Sequence, residues 1–471
     1  MACSAAADRP ATYDAGRGPA TTALASSSAA ASVPIVAPSA RATGATGLLT
    51  FRGDATRTFY GTGPLPTRPE VRWEYPDHRM CSMSTVGLET SEWCGTGWTG
   101  QPAVVERDGR TWVIFGAYDG AVHFVDADSG RRLLPDFRTG DLVKGSVTVD
   151  PDGYPLVYVG SRDNAYRVVA IDRVVPTELW RLDAEAVSPT LWNDDWDGSG
   201  LVADGYLLEG GENSQFHAVR LNRSYGADGL VQVAPVLAFH APSWDDELLA
   251  ALPDYNVSIE SSVALAGGVA WFANSGGLVQ GWDVSGLLGG TGAVPERVFR
   301  FWMGDDVDAT VVVDEEGMLY VGAEWERHTA RARQVGQVVK LDPRRPNPVV
   351  WSVADHDTEI AGVWGTPAVW RDLVIVATDG GRLLGIDRAT GRVRWTKILP
   401  GPLWQSPVVV DGVLVQGDCH GALHGYDLAD TAIDPPELWT VQLPGCIEST
   451  PAVWDGRIFV GTREGHLYAI G

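Results

Sequence analysis

From Thr366 to Trp395 the chain reads TPAVWRDLVIVATDGGRLLGIDRATGRVRW, and the pattern returns along most of its length. It holds an apolar run (Ala368 to Trp370), a charged pair (Arg371, Asp372), a second run (Leu373 to Ala377), a turn (Asp379-Gly380-Gly381) and a third run (Leu383 to Ile386). Arg388 to Gly391 make a further turn, followed by the alternating Val393 and Trp395. Short runs rich in Val, Ile and Trp, bounded by Gly and Asp, predict antiparallel strands joined by tight turns. A four-stranded unit repeated at roughly 40 to 50 residues is the mark of a propeller.

A second copy runs from Ser406-Pro407-Val408 through Gly417-Asp418 and Tyr426-Asp427 to Trp439, and a last one from Thr450-Pro451 to Ile470. Gln101-Pro102 opens an early copy, and weaker ones start near Ser146, Ser188, Ser261 and Ala309, about eight in all. The expected fold is therefore all-β: one eight-bladed β-propeller of four-stranded antiparallel blades over residues 48–471. The last copy stops at Ile470-Gly471 without a fourth strand, while Val71 to Tyr75 reads as a lone outer strand. An open ring would leave exposed edges, so Val71 to Tyr75 is expected to complete the final blade.

Ile386-Asp387, Thr390-Gly391 and Trp395 carry a hydrophobic residue, Asp, Thr-Gly and Trp at a defined spacing. In this the chain resembles the pyrroloquinoline quinone (PQQ) repeat propellers. The resemblance implies that the Trp docks between neighbouring blades while the Asp and Thr hold the turn. Asp126, Ser129 and Gly130 match that turn, but Leu134 stands where the Trp would be. The segment from Leu49 to Thr58 is similar to the stretch that precedes the first blade in such proteins.

The formal charge of −24 repels polyanions, which excludes nucleic acid as an expected partner. Only Lys144, Lys340 and Lys397 are lysines among 36 basic residues, a bias typical of GC-rich bacterial genomes. Residues 1–47 are mostly Ala, Ser, Thr, Pro and Gly and cannot bury enough surface to order, so they read as a disordered tether. Cys3 precedes that tether after a small residue, as in bacterial lipoproteins. The basic and apolar regions of a leader are not seen before it, so the expectation is a start downstream of one, with Cys3 acylated. A cytoplasmic chain with an incidental Cys is the alternative.

Cys81, Cys94, Cys419 and Cys446 remain, an even number that permits three pairings. Cys81–Cys94 with Cys419–Cys446 closes the shortest loops, and such bonds belong to an oxidising compartment. No run approaches the length of an apolar transmembrane helix. Membrane contact is thus expected only through the lipid anchor.

Two regions break the period. Residues 189–260 include a predicted short helix from Asp245 to Leu252, and Glu324 to Gln334 is a charged insert. Aligning copies on the Pro of the innermost strand places Lys144, Glu260, Asp308, Trp364, Trp404 and Glu448 together at one mouth of the channel, a pocket of mixed aromatic and charged character. Asn193, Asp195, Asp197 and Asp204, with Gly198 between them, offer oxygen ligands at alternating positions for Ca²⁺, though Trp196 interrupts the loop.

The related quinoprotein alcohol dehydrogenases use adjacent cysteines beside the quinone, and no Cys-Cys occurs here. The resemblance therefore brings no expectation of PQQ, and Ca²⁺ is the one candidate ion. The favoured expectation is a non-catalytic, exported, monomeric binding scaffold for a protein or peptide in the cell envelope, similar to the lipoprotein branch of the superfamily. A quinoprotein oxidoreductase and a calcium- or saccharide-binding surface module are the alternatives.

Overall fold

The strands alternate with tight turns because Gly and Asp punctuate β-branched runs, and eight four-stranded antiparallel blades result, the first extended to five strands by Gly47–Leu48. The computed structural model describes residues 44–86, 89–97 and 100–471. Cys3 and nearly all of the predicted tether lie outside the described residues. The sheets form an eight-bladed β-propeller whose innermost strands are Ala103–Arg107, Thr148–Val149, Leu201–Ala203, Ala264–Ala266, Val312–Val313, Ala368–Trp370, Val408–Val410 and Ala452–Trp454. The copy expected to open near Ser188 opens instead at Leu201, because the long insertion begins ahead of that strand rather than within the blade. Blade six has strands Ala368–Trp370, Leu373–Ala377, Arg382–Asp387 and Val393–Ile398, following the sequence pattern closely.

Closure occurs as the truncated last repeat requires. Val71–Tyr75 pairs antiparallel with Leu467–Ile470, with Trp73 opposite Ala469 and Tyr75 opposite Leu467. Trp73 Nε1 then donates to the Ala127 carbonyl in the Asp126–Gly130 turn of blade one, at 3.0 Å. The same contact recurs inside the ring, where Trp351 Nε1 of blade five donates to the Arg388 carbonyl of blade six at 3.0 Å. Within that turn the Asp387 carboxylate accepts from both the Thr390 amide and hydroxyl, each at 2.8 Å.

Gly391 has φ +75°, and a Cβ there would lie 2.7 Å from the Trp351 ring. Left-handed backbone and ring contact both demand glycine. Gly391→Ala is expected to lower the unfolding free energy by about 1–2 kcal/mol, read from urea denaturation, whereas Gly109→Ala on an open turn would report the backbone cost alone.

Just ahead of the innermost strands the chain has no partner within its own blade, so the amides there need other acceptors. Here they bond from blade to blade. The Gln101 amide donates to Ser146 Oγ, Ser199 to Ser262, Ser262 to Thr310, Thr310 to Thr366, and Thr366 to Ser406, all between 2.7 and 3.0 Å.

The N-terminal segment fills the channel below this girdle. Gly47–Leu48 pairs with the innermost strand of blade one, and the Leu49, Ala55 and Thr56 carbonyls accept from Val149, Leu265 and Val313 of blades two, four and five. Tyr60 and Gly61 continue to Val369 of blade six and Val453 of blade eight. Arg57 is fully buried: its guanidinium donates to the Val263, Ser199 and Phe51 carbonyls and to Thr50 Oγ1, at 2.6 to 3.0 Å. Arg52, also fully buried, reaches the Thr366 carbonyl at 2.6 Å.

Two short helices mark the insertions. Asp246–Ala251 is capped by the Asp245 side chain, and Ala330–Val335 by Thr329. No helix among the described residues is long and apolar enough to cross a membrane.

Candidate functional site

The girdle residues fix a register, and three positions before the residue that follows each one the chain turns into the open mouth. Lys144, Glu260, Asp308, Trp364, Trp404 and Glu448 occupy that register in blades two, four, five, six, seven and eight. Asp197 occupies it in blade three, so an aspartate read from sequence as part of a calcium loop belongs to the mouth. A second register lies two residues beyond the second strand of each blade. It carries Arg162, Glu212, Glu324, Asp379 and Arg463, none of which the sequence reading had placed at the mouth.

On blades two to four these side chains form an ion cluster. Lys144 Nζ is paired with Asp197 and lies 3.6 Å from Glu212. Burial opposes its charge, but Asp197, Glu212 and Glu260 outweigh burial and hold the ammonium well above its usual range. Arg162 Nε pairs with Asp195 at 2.6 Å, and Asn193 Nδ2 donates to Glu212 Oε2 at 2.9 Å. Burial pushes Asp195 up to about 7 despite Arg162, and pushes Glu212 well above the usual carboxylate range.

The predicted calcium residues are thus not gathered around one point. Asp195, Asp197 and Asn193 face separate partners, and Asp204 sits at φ +48° in the turn after Leu201–Ala203. Asp197 groups instead with Glu212 and Glu260.

On blades four to six the mouth is acidic. Ser258 and Ser275 donate to Glu260 and Asp308, each at 3.1 Å. Asp306, Asp308 and Glu324 converge beside them, and burial raises all three well above their usual range. Trp364 and Trp404 stack with centroids 5.4 Å apart, and Trp404 Nε1 donates to Asp379 Oδ1 at 2.6 Å.

Blades eight and one complete the circle. Arg463 pairs with Glu448 at 3.4 Å and lies over the Tyr118 and Trp93 rings. Trp93 belongs to the hairpin Cys81–Val86 with Glu89–Cys94, whose ends are joined by the expected Cys81–Cys94 disulfide. Cys419–Cys446 forms as the second pair.

His123 and His424 occupy equivalent places in the third strands of their blades. Each lies between two carboxylates, His123 at 3.1 Å from both Asp119 and Asp136, which fits a role in holding a blade together.

Such a mouth can hold a cationic or amphipathic group, since carboxylates outnumber cations and a double-indole face adjoins them. The four cysteines Cys81, Cys94, Cys419 and Cys446 are joined in bonds between residues 13 and 27 positions apart.

Residues 334–434 match the family model described as outer membrane protein assembly factor BamB. No curated protein matches the sequence. Among solved structures, BamB from Moraxella catarrhalis superposes with a TM-score of 0.53 at 12% identity, covering 85% of this chain and 97% of that one. Quinohemoprotein alcohol dehydrogenase from Comamonas testosteroni gives 0.56 at 14%, over 90% and 80%. A europium-containing methanol dehydrogenase gives 0.59 at 12%, over 88% and 89%. Residues 334–434 thus carry the repeat that this family model describes, and the chain shares the propeller fold of these structures.

Proposed function

We propose that this propeller is a non-catalytic, exported scaffold that binds a protein or peptide through the open mouth of its channel. The observation that carries the reading is a channel filled by the chain's own N-terminal segment below a mouth rich in buried charge and stacked indoles. Any ligand is then met at the surface, on a rigid rim whose loops are fixed by the girdle. Two disulfides at that face support an oxidising compartment, and a lipid on Cys3 would tether the ring to a membrane surface.

A photocrosslinking residue at Trp404, compared with one at Val294 on an exposed loop, tests this in cells. Discrete protein adducts from position 404 and none from 294 are expected; adducts from neither, or equally from both, would overturn it. In parallel, the purified protein is melted with PQQ, with Ca²⁺, with both and with neither. A saturable shift with PQQ, together with a bound chromophore, would replace the scaffold by a quinoprotein.

A further inference from the structure

Each blade ends in an outer strand with no further strand beyond it, and these edges are guarded. In blade six Gly385 pairs with Trp395 and Ile386 with Val393, which leaves Arg394 as an extra residue on the outer strand. The same slip falls after Val168, Ala218, Gly281, Lys340, Gly425 and Val71 in the six other blades from two to eight. In blade one the outer strand is only Phe137–Arg138. Bulges and short strands keep a sheet edge from pairing with another chain.

One sheet edge beside the mouth lacks these devices. Cys81–Val86 and Glu89–Cys94 form a two-stranded sheet of their own, six consecutive pairs from Cys81 with Cys94 to Val86 with Glu89, without a slip. Cys81–Val86 reads CSMSTV, with no charge and no proline. With two residues between them, Val86 and Glu89 pair in the hydrogen-bonded manner, as therefore do Ser84 with Ser91 and Ser82 with Trp93. The amides and carbonyls of Met83 and Thr85 then point away from Glu89–Cys94, and among the described residues none of them has a partner.

A lone hairpin is marginal in water, but this one is held ready. The Cys81–Cys94 bond joins its ends, the Trp93 and Tyr118 rings meet edge-on with centroids 5.6 Å apart, and Ser82 Oγ donates to the Tyr118 carbonyl at 2.6 Å. Ser84, 3% exposed, marks the face turned to the propeller, and Met83, 61% exposed, marks the face turned outward.

We propose that the edge of Cys81–Val86 takes up an extended segment of a partner protein as a third strand. Two amides and two carbonyls alternating along one line call for the same set on the ligand, which an extended peptide backbone supplies. A pre-formed edge adds little ordering cost of its own. The assignment rests on the mouth face being the binding surface and names the conformation it recognises.

The test titrates acetyl-Lys-Thr-Val-Thr-Val-Thr-Val-Lys-amide, N-methylated at its valines, into the full chain by calorimetry. The methyl groups block one edge of the peptide, and so its own association, while the threonine edge stays free to bond. The control is N-methylated at the threonines as well. Both peptides carry the same charge, so the attraction of their lysines to a protein of charge −24 cancels. Saturable binding of the first and none of the second is expected, with hydrogen exchange over residues 81–85 slowed by the first alone. Thr85→Pro removes an outward amide and no bonded pair, and is expected to weaken binding about tenfold or more, whereas Thr85→Val keeps the amide and should stay within about threefold. The methylated control needs no variant, so poor folding of either would leave the test intact.

Equal binding of both peptides, binding unchanged in Thr85→Pro, or slowed exchange only outside the hairpin would overturn the proposal. So would a dimer in sedimentation that Thr85→Pro dissolves, since a second copy would then hold the edge. If the free-edged peptide fails while crosslinks from position 404 persist, only strand addition falls. If both fail, binding at the mouth falls with it.

Discussion

Arg57→Leu is expected to lower the unfolding free energy by about 3–5 kcal/mol, the range seen when a buried charge network loses one member. The Val263, Ser199 and Phe51 carbonyls would lose their guanidinium donor inside the ring. Leucine fills the volume but donates nothing, and an unsatisfied buried acceptor costs about 1–3 kcal/mol by itself. Burial lowers the Arg57 pKa to about 10, partly opposed by Glu209, so the side chain remains cationic at neutral pH. Arg57→Lys should recover only part of the loss, because an ammonium on a single stem cannot fork across blades three and four. Urea denaturation reads both variants. A Leu variant within about 0.5 kcal/mol of the parent would mean that the channel segment adds little to the ring.

Lys144→Met is expected to cost a similar amount, about 3–5 kcal/mol at pH 8, by stripping the counterion from Asp197, Glu212 and Glu260. Its pH dependence separates this cause from simple packing. Burial raises Glu212 and Glu260, so the folded state favours their protonated forms. A carboxylate raised in the folded state contributes stability below its unfolded pKa and loses it as pH rises through the folded value. The parent offsets that loss with Lys144, whose own raised pKa keeps it charged throughout. The variant cannot. Its melting temperature should therefore climb toward the parent's between pH 8 and pH 5, and parallel profiles would refute the account.

Residues that repeat were legible in the sequence. The Asp387, Thr390 and Gly391 turn, the strands around it, the closing strand Val71–Tyr75 and both disulfide pairs follow from local spacing or from the unmet needs of an incomplete blade. Aligning copies on proline also found most of the mouth. It missed Asp197 because the insertion obscured where blade three begins, so Ser199-Gly200 was not set against the Ser-Val, Thr-Val, Ser-Pro and Thr-Pro pairs of blades two and four to eight. Glu212 and Glu324 could have been found from the ends of the second strands, at Gly210 and Gly322, had that register been aligned as well. Arg52 and Arg57 carried no such signal. Their partners are backbone carbonyls of distant blades, and a carbonyl leaves no trace in the sequence.

The filled channel also fixes when the molecule can become native. Residues near the N-terminus take their partners from blades that stretch as far as Val453, and the strand that seals the rim waits for Ile470. A nascent chain thus holds its centre and its seam open until Leu467–Ile470 has been made, however early the individual blades form. Until that strand is delivered, the chain can still be pulled through a narrow passage; afterwards it is a latched wheel.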